Sequence, residues 1–400
     1  MGKLKSVIKG DRTIWVLMLF LAVVGWLEVM SCTTLMAYKL HEGNTSYYPL
    51  KHFACLLVGF GMMFIFSWIS YKKFVKWADI LLWASVGLLF FTLVSGVATN
   101  DAKRWFTIPL IGMTIQTSDV AKFALVVYLS KKLALAQIEP EKKWNCFIMC
   151  IVAIVAVCLL VLPANFSTAV LIGGACLWML ILGNFPKKWI LGLIAIGIVL
   201  LVLFVAVVKI GHFHSRVDTW ISRVETYFSS DSEQTKDFQT QQSLVAIGLG
   251  GLQGVGFGSG IQNNSLPHSY SDFIFASIAH ELGILGVIGV IGLYMILFYR
   301  CVMIVKRTET LFPALLVMGF LTNIMLQTLA NILVSIDFMP VTGQPLPFMS
   351  MGGSAILTTG MSLGVILNIS RYTGDKETVS EIEQDEKEID EVVDYPFMAG

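Results

Sequence analysis

The stretch SDFIFASIAHELGILGVIGVIGLYMILFYR, residues 271–300, decides what kind of protein this is. Between Phe273 and Phe298 its ionisable side chains are His280, Glu281 and Tyr294. So long an apolar run exceeds the roughly 20 residues a helix needs to cross a bilayer. A surface helix of a globular protein would carry a charged face, and this one has none. Asp272 stands at its head, where a polar loop gives way to apolar sequence. A helix starting near Ser271 puts Asp272 in its first turn, where the helix dipole favours the ionised carboxylate and where capping alone could account for it.

The rest of the chain agrees. Over 400 residues it is 56% hydrophobic and 14% charged, with a mean hydropathy of +0.74. That balance excludes an ordinary soluble domain. Segments 14–36, 50–70, 78–97, 119–136, 144–163, 167–184, 188–209, 271–300, 311–334 and 350–370 each suit a membrane helix. They are continuously apolar, which excludes a barrel of alternating strands. The expected fold is an all-α polytopic membrane protein of about ten transmembrane helices. It has a large extracytoplasmic loop over 210–270, between helices seven and eight, and a re-entrant Pro/Gly segment before helix ten. Residues 1–372 form one membrane domain, and the acidic tail 373–400 is expected to be disordered.

Charge placement orients the chain. Lys3, Lys5, Lys9 and Arg12, then Lys72, Lys73 and Lys76, then Lys131, Lys132, Lys142 and Lys143, then Lys187 and Lys188, then Arg300, Lys306 and Arg307 all fall on one side of these spans. The positive-inside rule makes that side, and both termini, cytoplasmic. The first apolar run is too long for a cleaved signal and reads as an anchor. The cysteines show no metal or disulfide spacing and read as buried apolar residues, although Cys146 and Cys150 share a helix face. Three long segments, 98–118, 210–270 and 335–349, lie together outside, and long loops in a compact bundle are usually functional or disordered. Their aromatic content argues for partial order, with 230–236 as a mobile tip.

Buried ionisable groups in a bilayer need partners. Glu281 lies nine residues past Asp272, about 180° around the helix, so the two do not share a site. Lys122 in the fourth span is its expected partner, with Asp119 one turn away. Glu28 is similar and has no assigned partner. The glycines Gly248, Gly250, Gly251, Gly254, Gly256, Gly258 and Gly260 could turn backbone N–H groups toward phosphate, or serve as a hinge or close-packed backbone. No Walker lysine follows, so this is not a P-loop. Gly283, Gly286, Gly289 and Gly292 form a small-residue stripe suited to helix packing. The run Asp337–Ser354, rich in Pro and Gly at span depth, implies broken backbone buried in protein or lining a cavity.

The motifs have a family likeness. Arg104-Trp105 with Gln116-Thr117-Ser118-Asp119-Val120-Ala121-Lys122 resembles RW…QPSE-x-AK. Phe238-Gln239, Gln242-Ser243 and Ala246-Ile247-Gly248 resemble YQ…QS-x-AIG. Leu266-Pro267, Asp272-Phe273-Ile274-Phe275 and Glu281-Leu282-Gly283 resemble LP…DFIF…ELG, and Pro340–Ser354 resembles P-x-x-G-x-PLPF-x-S-x-GGS. Across nearly its whole length the chain is similar to the SEDS family (shape, elongation, division, sporulation), the FtsW/RodA peptidoglycan polymerases. It departs from that pattern at Asp119, at His280 and at Asn165, which stands where the family's PDLGTA segment has Asp.

The resemblance implies an inverting glycosyltransferase that joins lipid II into β-1,4 glycan outside the bacterial cytoplasmic membrane, with Asp272 as the essential carboxylate. The acceptor hydroxyl must lose a proton, which a carboxylate can take. The leaving undecaprenyl pyrophosphate needs cations. Lys103, Arg104, Arg216 and Arg223 are the candidates, with or without a divalent ion, Mg or Mn, on the substrate phosphates. Gln242, Ser243 and Ser350 join them as candidate substrate-binding groups, and Asp119, Lys122 and Glu281 form the expected buried support network. Expected partners are lipid II, a class B penicillin-binding transpeptidase, other divisome membrane proteins and lipids, but not nucleic acid. Septal synthesis in cell division is favoured. The alternatives are an elongation polymerase, a lipid II flippase or a divisome scaffold. The absence of an evident inverted repeat, and the gathering of polar residues on one face, weigh against a carrier.

Overall fold

The computed structural model describes residues 10–40, 42, 44–99, 102–107, 114–210, 238–258 and 269–373. Ten helices cover the ten apolar segments. They are α1 (Arg12–Leu40), α2 (Tyr47–Trp68), α3 (Tyr71–Ser95), α4 (Thr117–Ile138), α5 (Lys143–Val161), α6 (Phe166–Leu182), α7 (Lys187–Ile210), α9 (Ile274–Arg307), α10 (Leu311–Ser335) and α11 (Gly353–Tyr372). An eleventh, α8 (Phe238–Gly250), lies in the stretch expected to be loop. Among the described residues seven helices are long and apolar enough to span a membrane. Large apolar side chains such as Phe20, Ile80, Leu285 and Ile288 are exposed on them. A soluble protein does not display such a belt, whereas a bilayer covers it. The chain is thus an all-α, multi-pass membrane protein. Tail residues 374–400 and the tip at 230–236 lie outside the described residues.

Two details differ from the sequence reading. α3 begins at Tyr71, seven residues before the expected 78, because Lys72, Lys73 and Lys76 sit on its first turns. Long lysine stems can lie along apolar surface while the ammonium stays in water. The segment 98–118 contains a three-stranded antiparallel sheet, β1 (Val97–Thr99), β2 (Ala102–Thr107) and β3 (Thr114–Gln116). β2 pairs with β3 through Trp105–Gln116, Phe106–Ile115 and Thr107–Thr114. Trp105 and Phe106 are half-buried rather than loose, and the ring of Phe106 packs on Phe91 of α3. Pairing satisfies the backbone at the bundle's edge, and β3 leads directly into α4.

α4 is the central helix, buried on nearly every side from Thr117 to Ala136, and it packs on α3, α5, α6 and α10. Phe123 stacks on Phe320 of α10 at 4.9 Å, with Phe66 and Phe74 edge-on to it. α2 and α11 approach closely, which small residues make possible. A Cβ on Gly360 would lie 2.3 Å from the Gly59 carbonyl oxygen, and one on Gly364 would lie 2.6 Å from that of Met63. This is the small-xxx-small contact by which membrane helices gain dispersion energy without a hydrophobic driving force. Of the stripe expected to do this on α9, only Gly283 meets another part of the chain, the backbone of Leu252 and Gly254. Gly289 and Gly292 face open space, and Gly286 meets only Leu282 of its own helix.

One end of the bundle gathers charge. Arg300 of α9 donates to Asp11 through Nε at 2.8 Å and Nη2 at 2.5 Å, while Asp11 Oδ1 accepts from Thr13 N and so caps α1. Asp11 N donates to Ser370, and Tyr71 N donates to Asn368, bringing the end of α11 to the starts of α1 and α3. Lys131 and Lys132 of α4 converge on Asp79 of α3, at 2.6 and 3.4 Å. The start of α9, with Asp272, is at the opposite end.

Candidate active site

Asp272 is not in the first turn of its helix. Residues 269–273 form turns, α9 opens at Ile274, and Phe273 occupies the N-cap position with no side-chain cap. The reason lies in the carbonyls that precede the helix. Tyr270 O accepts from Met351 N at 2.9 Å, Ser271 O from Ser350 Oγ at 2.7 Å, and Asp272 O from Asn331 Nδ2 at 2.9 Å. These three carbonyls would accept from residues 274–276 if the helix began earlier. Three consecutive carbonyls bonded to other parts of the chain fix the backbone under Asp272. Its side chain is half-buried, and Oδ2 lies 3.5 Å from where a Cβ on Gly343 would stand. Tyr270 beside it has its phenol pushed above the usual value by burial, then by Tyr48 and the Asp272 carboxylate, and it stays a neutral hydroxyl.

Two of these bonds come from the Pro/Gly segment before α11 and the third from α10; the segment is irregular and mostly buried, as expected for broken backbone at membrane depth. Side chains from neighbouring helices take up its carbonyls. Gln327 Nε2 donates to Pro345 O at 2.8 Å, Asn331 Nδ2 to Gln344 O at 2.9 Å, and Tyr294 Oη to Pro347 O at 2.5 Å. Asn331 therefore holds the Asp272 backbone and the Pro/Gly segment with one amide group. Gln344 Nε2 in turn donates to Thr168 Oγ1 at 2.7 Å, and Asn165 caps α6 by accepting from Thr168 N. Asparagine at 165 keeps that cap, so its departure from the family's Asp costs no helix start. Asn331, Gln344, Gln327 and Tyr294 escaped the sequence reading. The available signal was polar groups one turn apart, Gln327 and Asn331, on an otherwise apolar span.

Ser350 and Ser243 both hold main-chain groups of neighbouring segments. Ser350 Oγ gives its single proton to Ser271 O and accepts from Leu346 N at 2.7 Å. Ser243, fully buried on α8, donates to Ser335 O of α10 at 2.7 Å. Gln242 beside it is half-buried. Lys103 and Arg104 lie on β2 with their side chains outside the described residues, as Arg216 and Arg223 are altogether.

The glycine-rich run does not offer its amides to phosphate where it is described. It is threaded into a break in α9. At Gly283 the backbone leaves helical geometry, with φ 65° and ψ −166°. Ile284 N and Leu285 N donate to Gly251 O and Leu252 O instead of to the carbonyls four residues back. Those two carbonyls, His280 O and Glu281 O, accept from Val255 N and Gly256 N. Two intrahelical bonds are thus exchanged for four to the inserted loop, so these donors and acceptors stay paired across the break. Only glycine fits here. A Cβ on Gly254, at φ +76°, would be 2.1 Å from Glu281 O, and one on Gly283 would be 2.4 Å from Gly254 N. His280 Nδ1 sits 3.0 Å from Ala246 O, and since a carbonyl can only accept, Nδ1 carries the proton.

The expected support network separates into two. Lys122 pairs with Asp119 at 2.9 Å, one turn away, and Asp119 Oδ2 accepts from Ser354 Oγ at 2.8 Å at the start of α11. Glu281 instead accepts from Ser31 of α1 and lies beside Glu28 and Cys32. α9 packs against α1, a neighbour relation that helical periodicity alone does not give.

The family model for the FtsW/RodA/SpoVE cell cycle proteins matches residues 11–375. A Coxiella burnetii protein named probable peptidoglycan glycosyltransferase FtsW is 31% identical, covering 92% of this chain and 99% of its own. The stage V sporulation protein E of Bacillus subtilis is 28% identical over 91% of this chain and 97% of its own. Among solved structures, a chain of a peptidoglycan synthase complex superposes with a TM-score of 0.73 at 22% identity, covering 92% of this chain and 99% of that one. The rod shape determining protein RodA of Thermus thermophilus gives 0.66, also at 22% identity, over 92% of this chain and 98% of that one. Motifs, fold and a family match over nearly the whole length agree, and the chain belongs to the FtsW/RodA/SpoVE family of cell cycle proteins.

Proposed function

We propose that this protein is a peptidoglycan glycosyltransferase that polymerises lipid II, with Asp272 as general base. The carrying observation is the immobilised backbone of Asp272: three consecutive carbonyls bonded to two other parts of the chain, with the carboxylate half-buried against Gly343. A base must be held within hydrogen-bond reach of the proton it takes, and this carboxylate has its backbone fixed for that. The GlcNAc 4-hydroxyl gives its proton to Asp272 as its oxygen bonds to C1 of the donor MurNAc. The bond from C1 to undecaprenyl pyrophosphate breaks with inversion, and the pyrophosphate leaves with the electron pair. Lys103, Arg104, Arg216 and Arg223 neutralise its charge, and a divalent ion, Mg or Mn, would add positive charge there when bound.

In this reading residues 1–372 are one membrane unit, the 210–270 loop and Asp272 face outward, and both termini are cytoplasmic. The names of the FtsW relatives support septal synthesis, and the polymerization and crosslinking complex among the structural neighbours supports a class B transpeptidase partner. The test is glycan synthesis from lipid II by the purified chain with its transpeptidase. Wild type makes polymer, and Asp272→Asn loses at least about 100-fold. Full activity in Asp272→Asn overturns the base assignment. Lipid II crossing vesicles without polymer formation would favour a flippase.

A further inference from the structure

We propose that Glu28, Cys32 and Glu281 bind one divalent transition-metal ion of the zinc class, which ties α1 to the break in α9. One ligand atom from each of the three side chains lies within 4.8 Å of the other two. Glu28 and Glu281 are fully buried and Cys32 is 4% exposed. Glu28 and Cys32 are one turn apart on α1 and share a face, so they act as a two-pronged clamp with Glu281 opposite.

The second observation is at Glu28 itself. Both of its carboxylate oxygens are buried, and neither has a hydrogen-bond donor among the described residues. A buried carboxylate without a donor is among the costliest groups a fold can hold, and a second carboxylate beside it makes matters worse. A divalent cation answers both. Tetrahedral zinc, with bonds of about 2.0–2.3 Å, places its ligands roughly 3.5 Å apart, so side-chain rotations of about 1 Å close this set. The sulfur donor selects zinc-like ions over magnesium and calcium. The thiol releases its proton to solvent on binding.

The surroundings suit a built site. Ser31 donates to Glu281 Oε1 while its own oxygen accepts from Gly258 N at 3.1 Å, which orients the carboxylate. The hydroxyls of Ser269 and Ser277 flank the Cys32 sulfur. Glu281 is two residues from Gly283, and its carbonyl is held by Gly256. An ion here would join α1, the inserted loop and the first half of α9 at one point. Its place and its donor set differ from those of a magnesium ion on substrate phosphates.

The experiment is metal analysis of the full-length protein, purified in mild detergent without chelators, and its Cys32→Ser and Glu28→Gln variants. About one zinc per chain is expected in wild type and background levels in both variants. Cobalt substitution should give a thiolate-to-cobalt absorption band in wild type and none in Cys32→Ser. Chelation should lower the wild-type Tm and restored zinc should recover it. Wild type that purifies without metal and takes up none on zinc titration overturns the proposal, leaving a protonated acid pair. Variants that bind zinc as tightly as wild type also overturn it. If the variants fail to fold, the wild-type titration decides alone. Polymerase activity is not read, so this result stands apart from the role of Asp272.

Discussion

The side-chain amide of Asn331 holds the main-chain carbonyl of Asp272 at 2.9 Å, and its second hydrogen holds Gln344 O at the same distance. One buried amide on α10 thereby couples the Asp272 backbone to the Pro/Gly segment. Asn331→Leu removes both bonds and leaves two carbonyls unsatisfied, each costing about 1–3 kcal/mol. The expected outcome is a lowered Tm in detergent and a loss of polymerisation of about tenfold or more, of the size a misplaced catalytic group brings. Wild-type activity in Asn331→Leu would sink the coupling.

Lys122 and Asp119 form a closed pair on α4. Removing one partner of a buried ion pair costs about 3–5 kcal/mol, whereas replacing both is often neutral. Lys122→Met should cut the folded yield on size exclusion, and Asp119→Asn with Lys122→Met should recover much of it. Normal yield with lost polymerisation in Lys122→Met would place Lys122 in the substrate site instead.

Helix packing gives a paired test. Gly360→Ala forces a methyl against the Gly59 carbonyl oxygen and should destabilise by about 1–3 kcal/mol. Gly289→Ala meets open space and should be neutral or stabilise by about 0.5–1 kcal/mol through helix propensity. Thermal melts of the two variants in one detergent check the contrast.

Gly254→Ala tests the threaded loop. Its Cβ would collide with Glu281 O at 2.1 Å and its φ of +76° is unfavourable for alanine. The variant should lose several degrees of Tm and show faster amide exchange at residues 280–285. Unchanged exchange there would mean that the loop does not hold the break.

Much of this was legible in the sequence because apolar length is local information. Ten runs gave ten helices, and the Pro/Gly run Asp337–Ser354 gave buried irregular backbone. What failed depended on partners far along the chain. α9 starts later than its apolar pattern implies because Met351, Ser350 and Asn331 occupy the carbonyls that would otherwise begin it. Glu281 meets Ser31, Glu28 and Cys32 of α1 and not Lys122, because periodicity fixes a helix face but not which helix that face will meet. The glycine run read as a possible phosphate loop because composition does not say which carbonyls its amides will find. One Asn in an apolar span carries no local signal of its partners, because the two acceptors of Asn331 come from distant parts of the chain.

The exchange of hydrogen bonds between residues 251–256 and 280–285 has a consequence for how this protein can change over generations. Each donor on one segment is matched to one acceptor on the other, so adding or deleting a single residue in either shifts every pair at once. Substitutions elsewhere in the 210–270 connection can accumulate one at a time. Here length itself is inherited, and relatives should keep the spacing from Gly250 to Gly256 and from His280 to Leu285 even where the side chains between have diverged.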